Sequence, residues 1–343
     1  MAGVAPPSPL LEVRDLVVEV PIGGSLVPAV DGVSFDLAAG EALAVVGESG
    51  CGKTLTGRAL LGLAPEGARV RGSVRIRGRE LSGAAEEVWR HVRGSEIALV
   101  FQEPGAAFDP VATIGSQIVE AVRAHRPVPR REAEDIARER LREVGYPDPG
   151  RGMREYAHRL SGGMKQRAFL AAALASDPAI LVADEPTTAL DATVAAQVLE
   201  LLDRLREERG LALLLISHDL GAVARHAGRV LVMYAGRVAE EAPTAALLAD
   251  AQHPYSVGLV ASRPRLAIAG GGSPRRFPAI PGAVPDLALR PRGCCAFAPR
   301  CPARFEPCDV REPALYPTDV GVARCFLYEP GRETGNGKRE TTR

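Results

Sequence analysis

"GESGCGKT", residues 47–54, decides how this chain is read. It follows the apolar run "ALAVV" (42–46) and precedes "LTGRALLGL" (55–63), so the order is buried strand, glycine loop, helix. Glycines let backbone N–H groups close around phosphate oxygens, and a helix start adds the positive end of its dipole. In that loop, Gly47, Glu48, Ser49, Gly50, Cys51 and Gly52 form the cradle, Lys53 neutralises β and γ oxygens, and the Thr54 hydroxyl ligates Mg²⁺. A plain strand-to-helix turn has no need of Gly, Lys and Thr in succession after four variable positions.

Working outward, "LEVRDLVVEV" (11–20) and "VSFDL" (33–37) alternate in part and read as strands. Downstream, "AILVADEP" (179–186) is an apolar strand ending in adjacent carboxylates: Asp184 is placed to hold Mg²⁺ and Glu185 to polarise the attacking water. "LSGGMKQR" (160–167) sets Ser161, Gly162 and Gly163 at a helix start, with the helix running to about Ser176; by itself this could be a simple N-cap. "SHD" (217–219) follows "LALLLI" (211–216) and puts His218 at a strand's C-terminal end, where ligands bind in open α/β sheets. "FQEP" (101–104) ends a further strand, so Gln102 reports on the metal or the nucleotide.

Composition removes several function classes. The chain has 343 residues, 46% of them hydrophobic, enough for one large domain with an extension, or for two domains. Forty-two basic residues balance 42 acidic ones, so the excess of cations that a nucleic-acid binder uses is missing. "MAGVAPPSPL" lacks a basic start followed by an apolar run, which points to a cytosolic chain without a secretory signal. The longest apolar runs fall far short of the ~20 residues of a membrane span, so a membrane role requires a partner.

In this order and spacing the motifs resemble an ABC-type ATPase subunit over residues 10–262: "GESGCGKT" as Walker A, Gln102 as the Q-loop, and "LSGGM" as the signature. Asp184 and Glu185 resemble the Walker B pair, "TTALD" ending at Asp191 the D-loop, and His218 the switch histidine. The resemblance implies an α/β fold with a RecA-like core sheet, an antiparallel β subdomain and a helical subdomain over about 103–177. It also implies a dimer sandwiching two ATP molecules, with Ser161, Gly162 and Gly163 acting in trans, Glu185 as base and His218 holding the γ-phosphate. Lys53 and Gln102 complete the catalytic set, and Thr54, Gln102 and Asp184 the Mg²⁺ set. Three positions depart from the family pattern: Val27 stands where an aromatic residue usually stacks on adenine, Met164 replaces the commoner Gln, and Cys51 replaces Ser. Cys51 would make the site sensitive to thiol reagents.

Helices are expected over "TIGSQIVEAVRAH" (113–125) and the amphipathic "REAEDIARERLREVG" (131–145). In the family this region receives the coupling helix of a transmembrane subunit. "IALVFQEPGAAFDPVATIG", "DEPTTALDATVAAQVL" and "QHPYSVGLVAS" narrow the resemblance to ATPase subunits of oligopeptide, dipeptide and nickel importers. That implies two permease subunits, a second ATPase subunit, an external binding protein and a place on the cytoplasmic face of the membrane. The competing class is a soluble ABC ATPase of DNA repair or translation, which usually carries two cassettes or a long coiled coil.

The expected organisation is a cassette at 1–262, a Pro-rich extension at 263–328 with loops, short strands and little core, and a disordered tail at 329–343. The extension holds "GCCAFAPRCPARFEPCDV" (293–310) and, later, Cys325. In a reducing cytosol clustered cysteines bind metal more often than they pair. Cys295, Cys301, Cys308 and Cys325 are separated by five, six and sixteen residues, wider than a zinc knuckle, and spacing alone leaves zinc and an iron–sulfur cubane open. The pattern resembles the GC-x-F-x-PRCP extension of dipeptide-type importer ATPases, which implies a [4Fe–4S] cluster on these four cysteines, with Cys294 spare.

Overall fold

A computed structural model describes residues 9–102, 107–188, 190–263 and 280–331 of the protein. The chain opens with β1 (Leu11–Ile22) and β2 (Ser25–Leu37), joined through Gly23 and Gly24 at positive φ. Then come β3 (Ala42–Val46), α1 (Lys53–Ala59), β4 (Arg69–Ile76), β5 (Arg79–Glu80), α2 (Glu86–Val92) and β6 (Ile97–Val100). Four helices follow: α3 (Ile114–His125), α4 (Arg130–Glu143), α5 (Pro149–Gly152) and α6 (Gly162–Ala173). After them run β7 (Ile180–Asp184), α7 (Ala192–Arg209), β8 (Ala212–Ile216), α8 (Leu220–His226), β9 (Arg229–Tyr234), β10 (Arg237–Pro243), α9 (Thr244–Asp250) and α10 (Pro254–Ala261). The extension contributes α11 (Pro307–Val310), β11 (Tyr316–Pro317) and β12 (Val322–Ala323).

Two sheets result. The smaller is antiparallel, in the order β2-β1-β4-β5, and the larger runs β11-β12-β10-β9-β3-β8-β7-β6, with β9, β3, β8, β7 and β6 parallel. Every residue of β3, β6, β7 and β8 is buried, the expected state of a parallel strand covered on both faces. Leu43 and Val45 of β3 face the core shared with the small sheet, whereas Ala42, Ala44 and Val46 face the helices. The helical layer buries Ile114, Ile118 and Val122 of α3 against Ala133, Ala137 and Leu141 of α4.

Helix limits follow local chemistry. The Thr113 hydroxyl accepts from Ser116 N at 3.2 Å and opens α3, while Gly145 at φ 67° follows the end of α4. The segment after the glycine loop stays helical only to Ala59, short of the Leu63 expected, and Gly62 turns at φ 64° beneath the Trp89 ring. Likewise α6 ends at Ala173, with Leu174 as its cap, before Ser176.

The extension is stitched to the main sheet. Strand β12 pairs antiparallel with β10, Glu240 opposite Ala323 and Glu241 opposite Val322, and Arg324 N donates to Ala239 O at 2.8 Å. At Gly321 a Cβ would lie 2.1 Å from Glu241 O, so this approach excludes any side chain. Ala298, Cys308 and Phe326 form only a small cluster, as a Pro-rich segment predicts. Phe297 goes further and joins the main core, its ring 5.1 Å from Tyr234 and 5.5 Å from Tyr255. The tail from 332 onward and residues 264–279 lie outside the described residues.

His253 caps α10 from inside this junction. Its Nδ1 accepts Tyr255 N–H at 3.0 Å, which leaves the proton on Nε2, directed at the Arg324 carbonyl. Burial pulls its pKa down to about 4, and the nearby Arg324 guanidinium adds to the effect. Below pH 6.5 the unfolded chain therefore binds a proton that the folded chain refuses, so stability falls as pH falls toward 4. From pH 7.5 to 5 this removes about 2 kcal/mol. Urea midpoints at the two pH values should differ less in His253→Gln than in the wild type; an equal drop would refute the assignment.

Candidate active site

Four parallel strands deliver their C-terminal ends to one edge of the large sheet. In register, Val45 lies opposite Ile216, Asp184 opposite Ile216 and Val100 opposite Ala183, so the residues just beyond them converge. From β3 comes the glycine loop, from β6 Gln102, from β7 Asp184 and Glu185, and from β8 His218. A cleft of about 490 Å³ opens there, lined among others by Ser49, Gly50, Gly52, Lys53, Thr54 and, opposite them, Gln102, Glu185 and His218.

The loop is held by backbone geometry. Gly47 sits at φ 151°, where a Cβ would meet Met233 O at 2.2 Å and Cys51 Sγ at 2.8 Å. Lys53 Nζ donates to Gly47 O at 2.8 Å and Glu48 O at 3.1 Å, which curls the loop around the ammonium. Glu48 N donates to Tyr255 Oη at 2.8 Å. Cys51 is fully buried in the core between the sheets, and burial pushes its thiol pKa up. The thiol sensitivity expected from sequence is therefore wrong: the sulfur points into the core, protonated and screened from reagents.

The polar side chains at these strand ends meet directly. Thr54 Oγ1 donates to Asp184 Oδ1 at 3.1 Å, which sets a hydroxyl and a carboxylate oxygen side by side, the hard oxygen donors that suit Mg²⁺. Burial raises the Asp184 pKa, opposed by the Thr54 hydrogen bond and by the charges of Arg58 and Lys53. Glu185 Oε2 accepts from Thr188 Oγ1 at 2.8 Å and Gln102 Nε2 at 3.2 Å, and lies 3.3 Å from His218 Nδ1. Glu185 itself has φ 48°, a left-handed conformation stabilised by its N–H donating to Ile216 O at 2.9 Å. Gln102, assigned from sequence to metal or nucleotide, bonds Glu185 in this structure.

Ser161, Gly162 and Gly163 sit apart, outside the lining of that cleft. Ser161 caps α6 by accepting Met164 N at 3.4 Å; Ser161 and Gly162 are exposed. Asp191 similarly caps α7, accepting Thr193 N and Val194 N. Sequence reasoning missed Arg58, Thr188 and Ala29. Arg58 stands four residues after Thr54 on α1, so helical spacing alone would have placed it on the cleft side. Val27 is nearly buried, and Ala29 rather than Val27 borders the cleft.

All five cysteines of the extension are free thiols. Burial pushes Cys295 up to about 11 and Cys325 up to about 12, with the other sulfurs adding to both shifts. Backbone N–H groups of Phe297 and Ala298 approach the Cys295 sulfur, that of Ala303 approaches Cys301 and that of Leu327 approaches Cys325. Among the described residues no three His, Cys, Asp or Glu side chains stand in the arrangement of a metal centre. No helix among them is long and apolar enough to cross a membrane.

Comparison with known proteins now adds to this geometry. Residues 30–188 match the ABC transporter family, and residues 239–308 match the C-terminal region of oligopeptide/dipeptide transporters. A putative peptide import ATP-binding protein of Brucella abortus is 46% identical over 327 residues, covering 95% of this chain and 97% of that protein. The chain belongs to the ABC transporter ATP-binding family, in its peptide-transport branch. The oligopeptide transport ATP-binding protein OppD of Mycobacterium bovis is 49% identical over 309 residues, which are 90% of this cassette protein but half of OppD. This ABC protein therefore spans about half the length of some of the curated relatives it matches. Among solved structures, the dimeric bacterial ABC transporter cassette MJ0796 superposes with a TM-score of 0.61 at 25% identity, over 68% of this chain and 98% of that one.

Proposed function

We propose that this ABC chain binds Mg-ATP and hydrolyses it as the motor subunit of an importer for peptides or a related small solute. The observation that carries the reading is the convergence of Lys53, the Thr54–Asp184 pair and the Gln102–Glu185–His218 group on one cleft. The loop and Lys53 bind the phosphates, Thr54 and Asp184 take the metal, Glu185 orients and deprotonates water, and His218 holds the γ-phosphate. The exposed Ser161–Gly163 helix start suits a partner's ATP better than its own, which fits the dimeric state of the MJ0796 cassette. We place the cassette at 1–262 and the transporter extension at 263–328. The chain would work at the cytoplasmic face of the membrane, on two permease subunits and beside a second ATPase. Affinity purification in mild detergent tests this: two polytopic membrane proteins should accompany Mg²⁺-dependent ATPase activity. Recovery of the chain as a free ATPase would favour the soluble class.

We also infer that Cys295, Cys301, Cys308 and Cys325 hold a [4Fe–4S] cluster. What supports it is the donor set: four cysteines of one extension, with Cys295 N donating to Cys308 O at 2.9 Å, and no histidine after His253 in the chain. The backbone N–H groups that approach three of the sulfurs suit the charge of metal-bound thiolates. Bound, the cluster supplies a cross-link among four separated segments of the extension. Protein purified without oxygen should absorb near ~400 nm and carry about four irons per chain. Stoichiometric zinc without iron would overturn this.

A further inference from the structure

The extension reaches back to the phosphate loop through one side chain. Arg300, between Cys295 and Cys301, is only 7% exposed and grips Glu48 with both arms of its guanidinium, Nη1 to Oε2 at 2.7 Å and Nη2 to Oε1 at 3.0 Å. Glu48 is the second residue of the glycine loop. The guanidinium is fixed in turn: Nε donates to Pro281 O at 2.7 Å, Nη2 to Gly282 O at 3.3 Å, and the group lies 5.7 Å from the Tyr234 ring centre. On the main-chain side, Glu48 N–H is held by Tyr255 Oη, and Tyr255 packs 5.5 Å from Phe297. Both the backbone and the carboxylate of this loop residue are thus tied to the C-terminal part of the chain.

From this we propose that Arg300 is a positioning residue for nucleotide binding: it fixes the phosphate loop through Glu48, making affinity for ATP contingent on docking of the cysteine-bearing extension. The inference rests on the reading of the cleft as an ATP site. A planar fork on a carboxylate restrains both position and orientation, more than a point charge would. Arg300 has no donor left for the phosphates, since its N–H groups go to Glu48, Pro281, Gly282 and Tyr234 Oη. The effect belongs to loop order and therefore to binding, leaving the water-activating group around Glu185 untouched.

The test uses the full chain with a fluorescent ATP analogue and steady-state hydrolysis. Wild type should bind the analogue and Lys53→Ala should not; if wild type fails to bind, the ATP reading itself falls, separately from the role of Arg300. Arg300→Met and Glu48→Gln should each weaken binding about tenfold and raise KM about equally, with kcat lowered less than about threefold. The double variant should bind within about twofold of either single one, because the two residues act as one clamp. Arg300→Lys should fall between wild type and Arg300→Met. Because Arg300→Met also strips Pro281 and Gly282 of a donor and could fail to fold, Glu48→Gln decides in that case. Unchanged analogue affinity in folded Glu48→Gln, or effects that multiply in the double variant, would overturn the proposal.

Discussion

Glu185→Gln should keep Mg-ATP bound while turnover falls about 10²- to 10⁴-fold, a barrier increase of about 3–5 kcal/mol. Glutamine has the same shape, so its carbonyl oxygen can still accept from Thr188 and the strand end keeps its N–H bond to Ile216 O. What disappears is the carboxylate to which the proposed mechanism gives the proton of the attacking water. Gln102, an amide donor to Oε2, cannot take that proton, and His218, with Nδ1 3.3 Å from Oε2, serves the γ-phosphate in the proposed arrangement. The check is a pair of measurements on one preparation, analogue binding and phosphate release. Turnover within tenfold of wild type would move the base elsewhere.

Gly47→Ala should weaken ATP binding by about a hundredfold, about 2.7 kcal/mol. The added methyl has nowhere to go. It would sit 2.2 Å from the Met233 carbonyl, which belongs to β9 in the middle of the sheet, and 2.8 Å from Cys51 Sγ. The φ of 151° is strained for any side chain. The loop must therefore shift outward, carrying the carbonyls that orient Lys53. Gly50 supplies the contrast, since it has φ 77° but open space, with nothing within 4 Å, where a methyl would stand, and Gly50→Ala should cost less. Equal losses at the two glycines would show that backbone conformation alone, and not the contact with β9, sets the loop.

The core of the site was legible because its parts are local. A short apolar, β-branched run such as "ILVAD" fits an interior strand, and the residues at its end are fixed to the sheet edge by strand geometry. What escaped the sequence is tertiary. Arg300 and Glu48 lie 252 positions apart, and no periodicity encodes that meeting. The direction of the Cys51 side chain depends on Met233 and the core below the loop, so loop chemistry alone misjudged it. Gln102 was read to the right strand end, but its hydrogen bond to Glu185 joins two strands far apart in sequence and has no local signal. Phe297 was hidden within a Pro-rich stretch, and only the aromatic pocket of Tyr234 and Tyr255 explains its burial.

The pairing of β12 with β10 has a colloidal consequence. Without it, the seven-residue strand Arg237–Pro243 would end the large sheet with a row of free amides and carbonyls, a template for another chain. β12 covers the middle of that row, at Glu240 and Glu241, and the last strand beyond it is Tyr316–Pro317, two residues long and carrying a proline that has no N–H to offer. The opposite margin, Ile97–Val100, is four residues long. The large sheet thus ends at both margins in strands too short to recruit a neighbour, which helps keep a cassette rich in apolar strands from polymerising through its edges.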